Sequence, residues 1–306
     1  MKSNKRFLAI MVAATTIIST SCTKNDETTP EEMDEKTLEY ANFDYSSFNF
    51  GNLNSNDLAI SNADTHLISS AGELKEGYIG SEKIHYQIND QGDYVLGGDM
   101  LLPKGVVITD EAVPTAKGAI PYGVRGWTNG VIPIQFTPGV PSQNRNSIIQ
   151  AAGVWANRLG VRFVYYNPSQ HRNYIRVIAN GADYSRLGMY GGAQDLSTND
   201  PYVSVAIHEL GHALGLAHEH QRSDRNNHII AYVNNPNISI QGTQNLTSFD
   251  WASIMLYPSK SIGGGRYDMV RRSDNRPFTN AIEYGRRNGT SYGPSNSDIQ
   301  ALRQFY

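Results

Sequence analysis

The chain has 306 residues, 18% of them charged, and a formal net charge of -3 at pH 7. This length is sufficient for one or two domains with sizeable hydrophobic cores. A small negative net charge without basic runs gives no electrostatic footprint for nucleic acid, so that class of protein is excluded.

The first residues have the character of an export signal. A positively charged segment at residues 2–6 precedes a short apolar run at residues 7–18, which is the order found in secretory signal peptides. The run is too short to cross a bilayer as a helix. Cys22, the only cysteine, follows small residues and resembles the lipidation site of bacterial lipoproteins. Ser19 stands where such sites usually have leucine, so ordinary cleavage near Ser21 is the alternative.

The segment after the signal is acidic and poor in aromatic residues over residues 23–40. Such a composition cannot bury enough apolar surface to fold, so it predicts a tether. Because Cys22 is either lipidated or removed, the exported protein has no disulfide. A packed core and a bound metal must then supply its stability.

Hydrophobic periodicity predicts a mixed α/β architecture for the rest of the chain. Ser142 is expected to cap the first of the predicted helices. The predicted helices are residues 142–159, 204–216 and 297–305, and the predicted strands are residues 131–136, 162–166 and 174–178, with further alternation at 94–102.

The segment from His208 to His218 carries a metal-binding pattern. On a helix, His208 and His212 are one turn apart, so both imidazoles can reach one ion. Gly215 can adopt a positive φ that ends the helix and turns the chain, after which His218 can supply a third ligand.

Three histidine nitrogens and a position for water are typical of a catalytic zinc site, in contrast to a four-ligand structural site. Glu209, beside the first ligand, is predicted to take a proton from the zinc-bound water and deliver it to the leaving amine. This spacing, followed by a later methionine turn, is the motif of metzincin proteases. Met255, in the segment Ser253–Tyr257, matches that turn and would form an apolar floor to the site.

Further motifs resemble the astacin family of metzincins. Residues 218–225 are similar to its HExxRxDR continuation, residues 126–133 to the start of its catalytic domain, and residues 184–188 to its substrate-binding edge strand. The resemblance implies a metzincin-type domain with a twisted, mostly parallel sheet and two long helices above an irregular C-terminal subdomain, with the zinc cleft between them. Leu256 stands where animal astacins have histidine and points to a bacterial subgroup.

The resemblance also implies roles for individual residues. Tyr257 would ligate the resting zinc and swing aside to stabilise the tetrahedral intermediate. The edge strand, which would pair with an extended peptide, comprises Tyr184, Ser185, Arg186 and Leu187. The two disulfides of animal astacins are missing, which leaves open how the loops are held. His220 and His228 lie off the ligand spacing and are not assigned to the metal.

A latent form is predicted from the segment Leu96–Asp99, which resembles the aspartate switch of astacins. In that scheme Asp99 is a zinc ligand of the latent form. The local alternative is a simple hairpin turn. Matrixins share the helix motif but hold their zymogens with a propeptide cysteine, which this chain lacks.

The resemblance to astacins implies that the mature domain begins at Gly118, after cleavage by an activating protease near Lys117. It also implies that the new amino terminus is buried beside Glu219, and a buried ammonium needs a carboxylate partner.

These features predict a signal peptide (residues 1–22), a propeptide (residues 23–117) and an astacin-like zinc endopeptidase (residues 118–306) with one catalytic Zn2+. The precursor is expected to be membrane-anchored through Cys22, and the mature enzyme extracellular and monomeric, with protein or peptide substrates. One alternative is an inactive metzincin scaffold that serves as a surface binding lipoprotein. Another is a zinc hydrolase that acts on something other than peptides.

Overall fold

A computed structural model describes residues 72–103, 105–112, 124–233, 237–243, 245–283 and 292–306. The predicted signal peptide, the acidic tether, Cys22 and the Lys117–Gly118 junction lie outside these residues. None of the described helices is long and apolar enough to cross a membrane.

A nine-stranded sheet runs through the molecule. Its strands, in chain order, are β1 (Lys75–Ile79), β2 (Glu82–Ile88), β3 (Tyr94–Leu96), β4 (Met100–Leu101), β5 (Val131–Phe136), β6 (Arg162–Tyr165), β7 (Tyr174–Ile178), β8 (Tyr184–Arg186) and β9 (Ala193–Ser197). Their order across the sheet is β1-β2-β3-β4-β8-β9-β7-β5-β6. Strands β6, β5, β7 and β9 are parallel neighbours, and β8 is antiparallel to β9. The predicted strands at residues 131–136 and 174–178 are confirmed.

The helices that cover this sheet are α1 (Ser142–Leu159) and α2 (Val203–Leu214), and a short α3 (Asn296–Leu302) follows near the end of the chain. Helix α1 packs against α2, and the indole nitrogen of Trp155 donates a hydrogen bond to the Ile207 carbonyl (3.0 Å). The prediction that Ser142 caps α1 was wrong. Ser142 is already helical, because the preceding Pro141 (φ -59°, ψ 146°) takes the cap position and its fixed φ suits that place.

The region after α2 is irregular, as expected for the C-terminal subdomain of a metzincin-type domain. It contains two small antiparallel pairs. Strand β10 (Ile229–Ala231) pairs with β13 (Met269–Arg271), and β11 (Ser261–Gly263) pairs with β12 (Arg266–Tyr267). The mixed α/β fold class predicted from the sequence is thereby confirmed.

The segment of residues 72–112 extends the large sheet at its β8 edge. Strands β1 to β4 form an antiparallel meander, and β4 pairs with β8 in parallel. The predicted alternation at residues 94–102 is split into β3 and β4 by Gly97 and Gly98, which have φ values of 61° and 93°. This turn places the next residue, Asp99, over the predicted metal site.

Candidate active site

Helix α2 and the turn after it bring the three predicted ligands together. His208 and His212 lie one turn apart on α2, and the helix ends at Gly215, whose φ of 121° turns the chain. His218 follows this turn and faces the same point. Each of the three side chains is at least 96% buried.

The imidazole geometry fits a zinc ion. The Nε2 atom of His208 lies 3.1 Å from that of His212 and 3.3 Å from that of His218. Tetrahedral ligands at zinc–nitrogen distances of 2.0–2.1 Å are about 3.3 Å apart. The three Nε2 atoms are therefore spaced as ligands of one ion.

Each imidazole is also oriented by its other nitrogen. The Nδ1 atoms of His208 and His212 donate to the carbonyl oxygens of Ile254 (2.8 Å) and Leu216 (2.7 Å). The Nδ1 atom of His218 donates to Oε1 of Gln221 (2.8 Å). Because Nδ1 carries the proton in each ring, the Nε2 lone pairs are free to bind a metal. Burial also lowers the pKa of His212 to about 4, which keeps this ring neutral near pH 7.

Asp99 completes a four-residue cluster with the histidines. Its carboxylate oxygens lie 3.2 Å from Nε2 of His218 and 3.6 Å from Nε2 of both His208 and His212. Burial raises the pKa of Asp99, but the neighbouring imidazoles outweigh it and hold the pKa well below its usual range. Its Oδ1 atom is buried without a hydrogen-bond partner among the described residues, and such an orphaned acceptor fits a missing cation.

The approach of Asp99 depends on the two glycines before it. A Cβ atom on Gly97 would lie 2.4 Å from Oε1 of Gln221 and 2.7 Å from Nδ1 of His218. A Cβ atom on Gly98 would lie 2.3 Å from Oδ1 of Asn237. Both glycines also have positive φ, so a larger residue would push this turn away from the imidazoles.

Glu209 lies beside the cluster and is 2% exposed. Burial, followed by the charges of Asp99 and Asp183, raises its pKa well above the usual range of a carboxyl. Its Oε2 atom has no hydrogen-bond partner among the described residues. Glu209 therefore has an unoccupied acceptor next to the metal position, as a proton acceptor for water requires.

Tyr257 reaches the same point from the Met turn. Its hydroxyl donates a hydrogen bond to Oδ2 of Asp99, and its ring centroid lies 4.4 Å from that of His218. Burial, followed by the charge of Asp99, raises the pKa of Tyr257 well above its usual value. The phenol is thus held protonated as a hydrogen-bond donor.

His220, which the sequence left without a role, holds Tyr257 in place. The two rings stack with centroids 4.7 Å apart, and the Tyr257 backbone N–H donates to Nδ1 of His220 (3.2 Å). Its Nε2 atom donates to the Asn237 carbonyl (2.7 Å). These bonds use both nitrogens of a neutral ring, and burial lowers the pKa of His220 well below its usual value.

Met255 packs directly beneath helix α2. A Cβ atom at Gly211 would lie 2.8 Å from the Met255 sulfur, so a glycine next to His212 is needed for this contact. The turn is tied to helix α3 by Asp298, whose carboxylate accepts hydrogen bonds from Ser253 Oγ (2.7 Å) and the Ile254 N–H (3.0 Å). The Met turn that forms the floor of the site is therefore anchored to helix α3.

The predicted edge strand, Tyr184 to Leu187, is covered by β4. Met100 lies opposite Ser185, and Leu101 lies opposite Arg186. The Ser185 N–H donates to the Asp99 carbonyl (3.1 Å), and the Leu187 N–H donates to the Leu101 carbonyl (3.0 Å). A peptide can pair with this edge only after residues 99–101 have left it.

Glu219 lies next to a pocket on the far side of His218. The pocket has an empty volume of about 740 Å³, its open mouth included, and Val124, Arg222 and Asp298 also line it. The Glu219 carboxylate accepts hydrogen bonds from the Asp250 N–H (2.7 Å) and Arg222 (3.2 Å). Burial nevertheless raises the pKa of Glu219 to about 8. The pocket therefore offers a buried carboxyl group that would gain from a second cationic partner beside Arg222.

This raised pKa predicts that the stability of the chain depends on pH. The unfolded carboxyl ionises near pH 4.5 and the folded one near pH 8, so the contribution of Glu219 is fully present below pH 4.5 and is lost as the pH rises to 8. We expect Glu219→Gln to stabilise the uncleaved chain above pH 8 by a few kcal/mol and to have little effect at pH 4. Urea unfolding at both pH values measures this difference, with Glu111→Gln, an exposed carboxyl, as control. An equal effect at both pH values would contradict the prediction.

Comparison with known proteins assigns the family. A model of the astacin family of peptidases matches residues 119–306. The chain belongs to the astacin family. It is 28% identical over 223 residues to the zinc metalloproteinase nas-4 of Caenorhabditis elegans, and the match covers 68% of each protein. It is 31% identical over 186 residues to nas-15 of the same nematode, which covers 56% of this chain and 31% of nas-15.

A solved astacin structure agrees with the fold. The chain resembles high choriolytic enzyme 1, a hatching enzyme zinc-protease from the medaka fish Oryzias latipes, with a TM-score of 0.50 and 29% identity over 61% of this chain and 94% of that chain. The predicted astacin resemblance, zinc cofactor and zinc metalloendopeptidase activity are confirmed at the level of the family. The cluster of His208, His212, His218 and Asp99 could hold such a metal ion.

Several contacts of this astacin were not predicted from the sequence. They include the stacking of His220 on Tyr257 and the support of His218 by Gln221. His220 and Gln221 lie two and three positions after the third ligand in the sequence, and this proximity could have indicated both contacts. A third contact, between Asp93 and Arg186, joins residues that are 93 positions apart, and no local pattern could have indicated it.

Proposed function

We propose that the chain is the latent precursor of an exported zinc endopeptidase, in which residues 23–117 are a propeptide and residues 118–306 are the catalytic domain. The observation that carries this proposal is the position of Asp99, whose carboxylate lies 3.2 to 3.6 Å from all three Nε2 atoms. A carboxylate at this point takes the place that a water molecule needs for hydrolysis. Astacin-family membership supports peptides or proteins as the substrates.

Latency in this proposal has two components. Asp99 blocks the metal, and Met100 and Leu101 occupy the β8 edge on which an extended peptide would pair. Peptides that add a strand to an exposed edge derive affinity from backbone hydrogen bonds. The propeptide therefore excludes both the reactive water and the substrate.

The catalytic step relies on Glu209 and Tyr257. When bound, zinc supplies a Lewis acid and lowers the pKa of water. Glu209, with its free Oε2 atom, accepts the proton of the attacking water and passes it to the leaving amine. Tyr257, released from Asp99, donates its hydroxyl hydrogen bond to the oxyanion that forms from the substrate carbonyl.

Activation in this proposal is a cleavage near Lys117, which creates a new amino terminus at Gly118. The pocket beside Glu219 suits that terminus, because its buried carboxyl has a raised pKa in the uncleaved chain. The same cut separates the catalytic domain from a lipid anchor at Cys22. The precursor would then be membrane-anchored, and the mature enzyme extracellular and monomeric.

Limited proteolysis of the exported chain tests this function. Residues 23–306 are treated with trypsin while intact mass, zinc content and casein hydrolysis are followed, with and without phenanthroline. We expect activity to appear together with a fragment that begins at Gly118 and to be lost with the chelator. Full activity of the uncleaved chain would contradict the latency proposal.

The same experiment separates the alternatives. An inactive scaffold that serves as a surface binding lipoprotein would bind zinc and be cut at Lys117 but would hydrolyse no peptide. Retention of casein hydrolysis after zinc removal would contradict the zinc mechanism itself. Hydrolysis of an ester or amide that is not a peptide, without casein cleavage, would favour a different zinc hydrolase.

A further inference from the structure

A short segment of the irregular region receives the hairpin of strands β1 and β2. The Gly242 N–H donates to the Lys83 carbonyl (2.8 Å). The Gln241 side chain accepts from the His85 N–H (3.0 Å) and donates to the His85 carbonyl (2.8 Å). The His85 ring donates from Nδ1 to the Ile240 carbonyl (2.9 Å). Ile240, Gln241 and Gly242, which form the docking segment, therefore bind β2 through its backbone much as a neighbouring strand does.

The docking segment is fitted to this hairpin at Gly242. A Cβ atom on Gly242 would lie 2.5 Å from Cβ of Glu82 and 2.9 Å from the carbonyl oxygen of Lys83. Gly242 is not among the glycines with a positive φ, so backbone conformation does not require a glycine here. The close approach of β2 is the reason that a side chain does not fit at this position.

The proposed propeptide thereby contacts two separate parts of the catalytic domain. Strand β4 pairs with β8 at the edge of the large sheet, whereas the docking segment lies in the irregular region after α2. Between these contacts, Ile84 of β2 is fully buried in a hydrophobic cluster that includes Leu187 and Val124. An apolar centre combined with hydrogen bonds at its margins is typical of a stable protein interface.

These contacts do not depend on the peptide bond that activation breaks. The propeptide residues that make them lie between Glu82 and Leu101, and all precede the proposed cut at Lys117. Asp99 lies within the same stretch and stays over the imidazoles for as long as β2 and β4 remain docked. Cleavage alone therefore does not open the metal site.

We propose that the docking segment retains the cleaved propeptide as a noncovalent inhibitor, so that activation requires release of the propeptide in addition to the cut. The inference rests on the proposed function, from which it takes cleavage near Lys117 and inhibition by Asp99. The partner of this surface is a segment of the same chain, the hairpin β1–β2. Activity then follows the cut at once only where dilution or further proteolysis removes the propeptide.

Brief trypsin treatment, stopped with a trypsin inhibitor, tests this retention. The cut chain is passed over a size-exclusion column at micromolar concentration, and the masses in each peak are measured. Hydrolysis of a quenched fluorescent peptide is then followed after dilution to nanomolar concentrations. We expect residues 23–117 to co-elute with residues 118–306. The rate should rise with time after dilution, because a noncovalent complex dissociates by mass action.

Gly242→Ala tests the docking segment itself, because its Cβ atom must displace β2. The concentration of cut chain at which half of the activity is recovered should rise about tenfold, as a modest steric clash allows. After complete digestion of the propeptide the variant should be as active as wild type. The three atoms nearest to the added Cβ all belong to Glu82 and Lys83, which are then gone.

A matched glycine provides the control. Gly139 also lacks a positive φ, and a Cβ atom there would have no atom within 4 Å. Gly139→Ala should therefore keep the wild-type inhibition. If Gly242→Ala does not fold, Gln241→Ala removes the two hydrogen bonds to the His85 backbone and should weaken inhibition by about tenfold.

The outcomes have distinct meanings. If the two fragments elute apart and full activity accompanies the cut at every concentration, retention is overturned while the protease function stands. If the docking-segment variants are inhibited as tightly as Gly139→Ala, other contacts hold the propeptide and the role of the docking segment is refuted. If no peptide is hydrolysed even after the propeptide has been digested, the proposed function itself fails. Co-elution with inhibition that weakens only in the docking-segment variants supports the inference.

Discussion

Replacement of Glu209 by Gln should lower kcat of the activated enzyme by about 10²- to 10⁴-fold, the usual contribution of a general base. The amide keeps the shape of the buried side chain but cannot accept the proton of the attacking water. Glu209 is not part of the four-residue cluster that could hold the metal, so zinc binding should be unaffected. The measurement is casein or peptide hydrolysis alongside zinc content by atomic absorption.

A surface substitution provides the reference for this result. Asp274→Asn alters a half-exposed carboxylate that bonds to Arg271 and should leave both activity and zinc content unchanged. If the Glu209→Gln variant kept a near-normal kcat, Glu209 would not be the general base. Loss of zinc together with activity would instead make Glu209 necessary for the metal site.

Replacement of Asp99 by Ala should raise the hydrolytic activity of the uncleaved precursor about 100-fold above the wild-type level. The loss of one partner from a buried charged cluster costs about 3 kcal/mol, and tenfold corresponds to about 1.4 kcal/mol. Activity should remain below that of the mature enzyme, because β4 still covers the edge strand. Casein hydrolysis before any trypsin treatment measures this activity of the precursor, and its intact mass shows that the chain is uncut.

Substitutions at a neighbouring carboxylate and at a glycine test the origin of this precursor activity. Asp90→Ala removes an exposed aspartate of the same segment and should leave the precursor latent. Gly97→Ala retains Asp99 but places a Cβ atom 2.4 Å from Gln221, so this uncleaved precursor should also become active. A fully latent Asp99→Ala precursor would assign inhibition to edge pairing alone.

The metal centre was predictable because its information is local. His208, Glu209 and His212 occupy one helical turn, and Gly215 ends that helix before His218. Helical spacing and the conformational freedom of glycine are properties of a short segment. A single stretch of eleven residues therefore predicts the ligands and the fold of the site around them.

The proposed blocking residue and the proposed catalytic tyrosine were predicted only by resemblance to a family. Asp99 and Tyr257 are 158 positions apart, and no periodicity relates them. Their hydrogen bond arises because β4 docks on β8 and the Met turn passes beneath α2. Which end of the sheet accepts a further strand depends on the packing of the whole domain.

The sequence by itself thus determined the family and the order of the main helices and strands, and it predicted the zinc ligands and the general base. Only the tertiary structure revealed that His220 holds Tyr257, that glycines 97 and 98 allow Asp99 to reach the imidazoles, and that Asp93 neutralises Arg186. The first set follows from backbone periodicity within one element. The second set depends on side chains from distant segments, whose meeting is determined by long-range packing and burial and leaves no local signature.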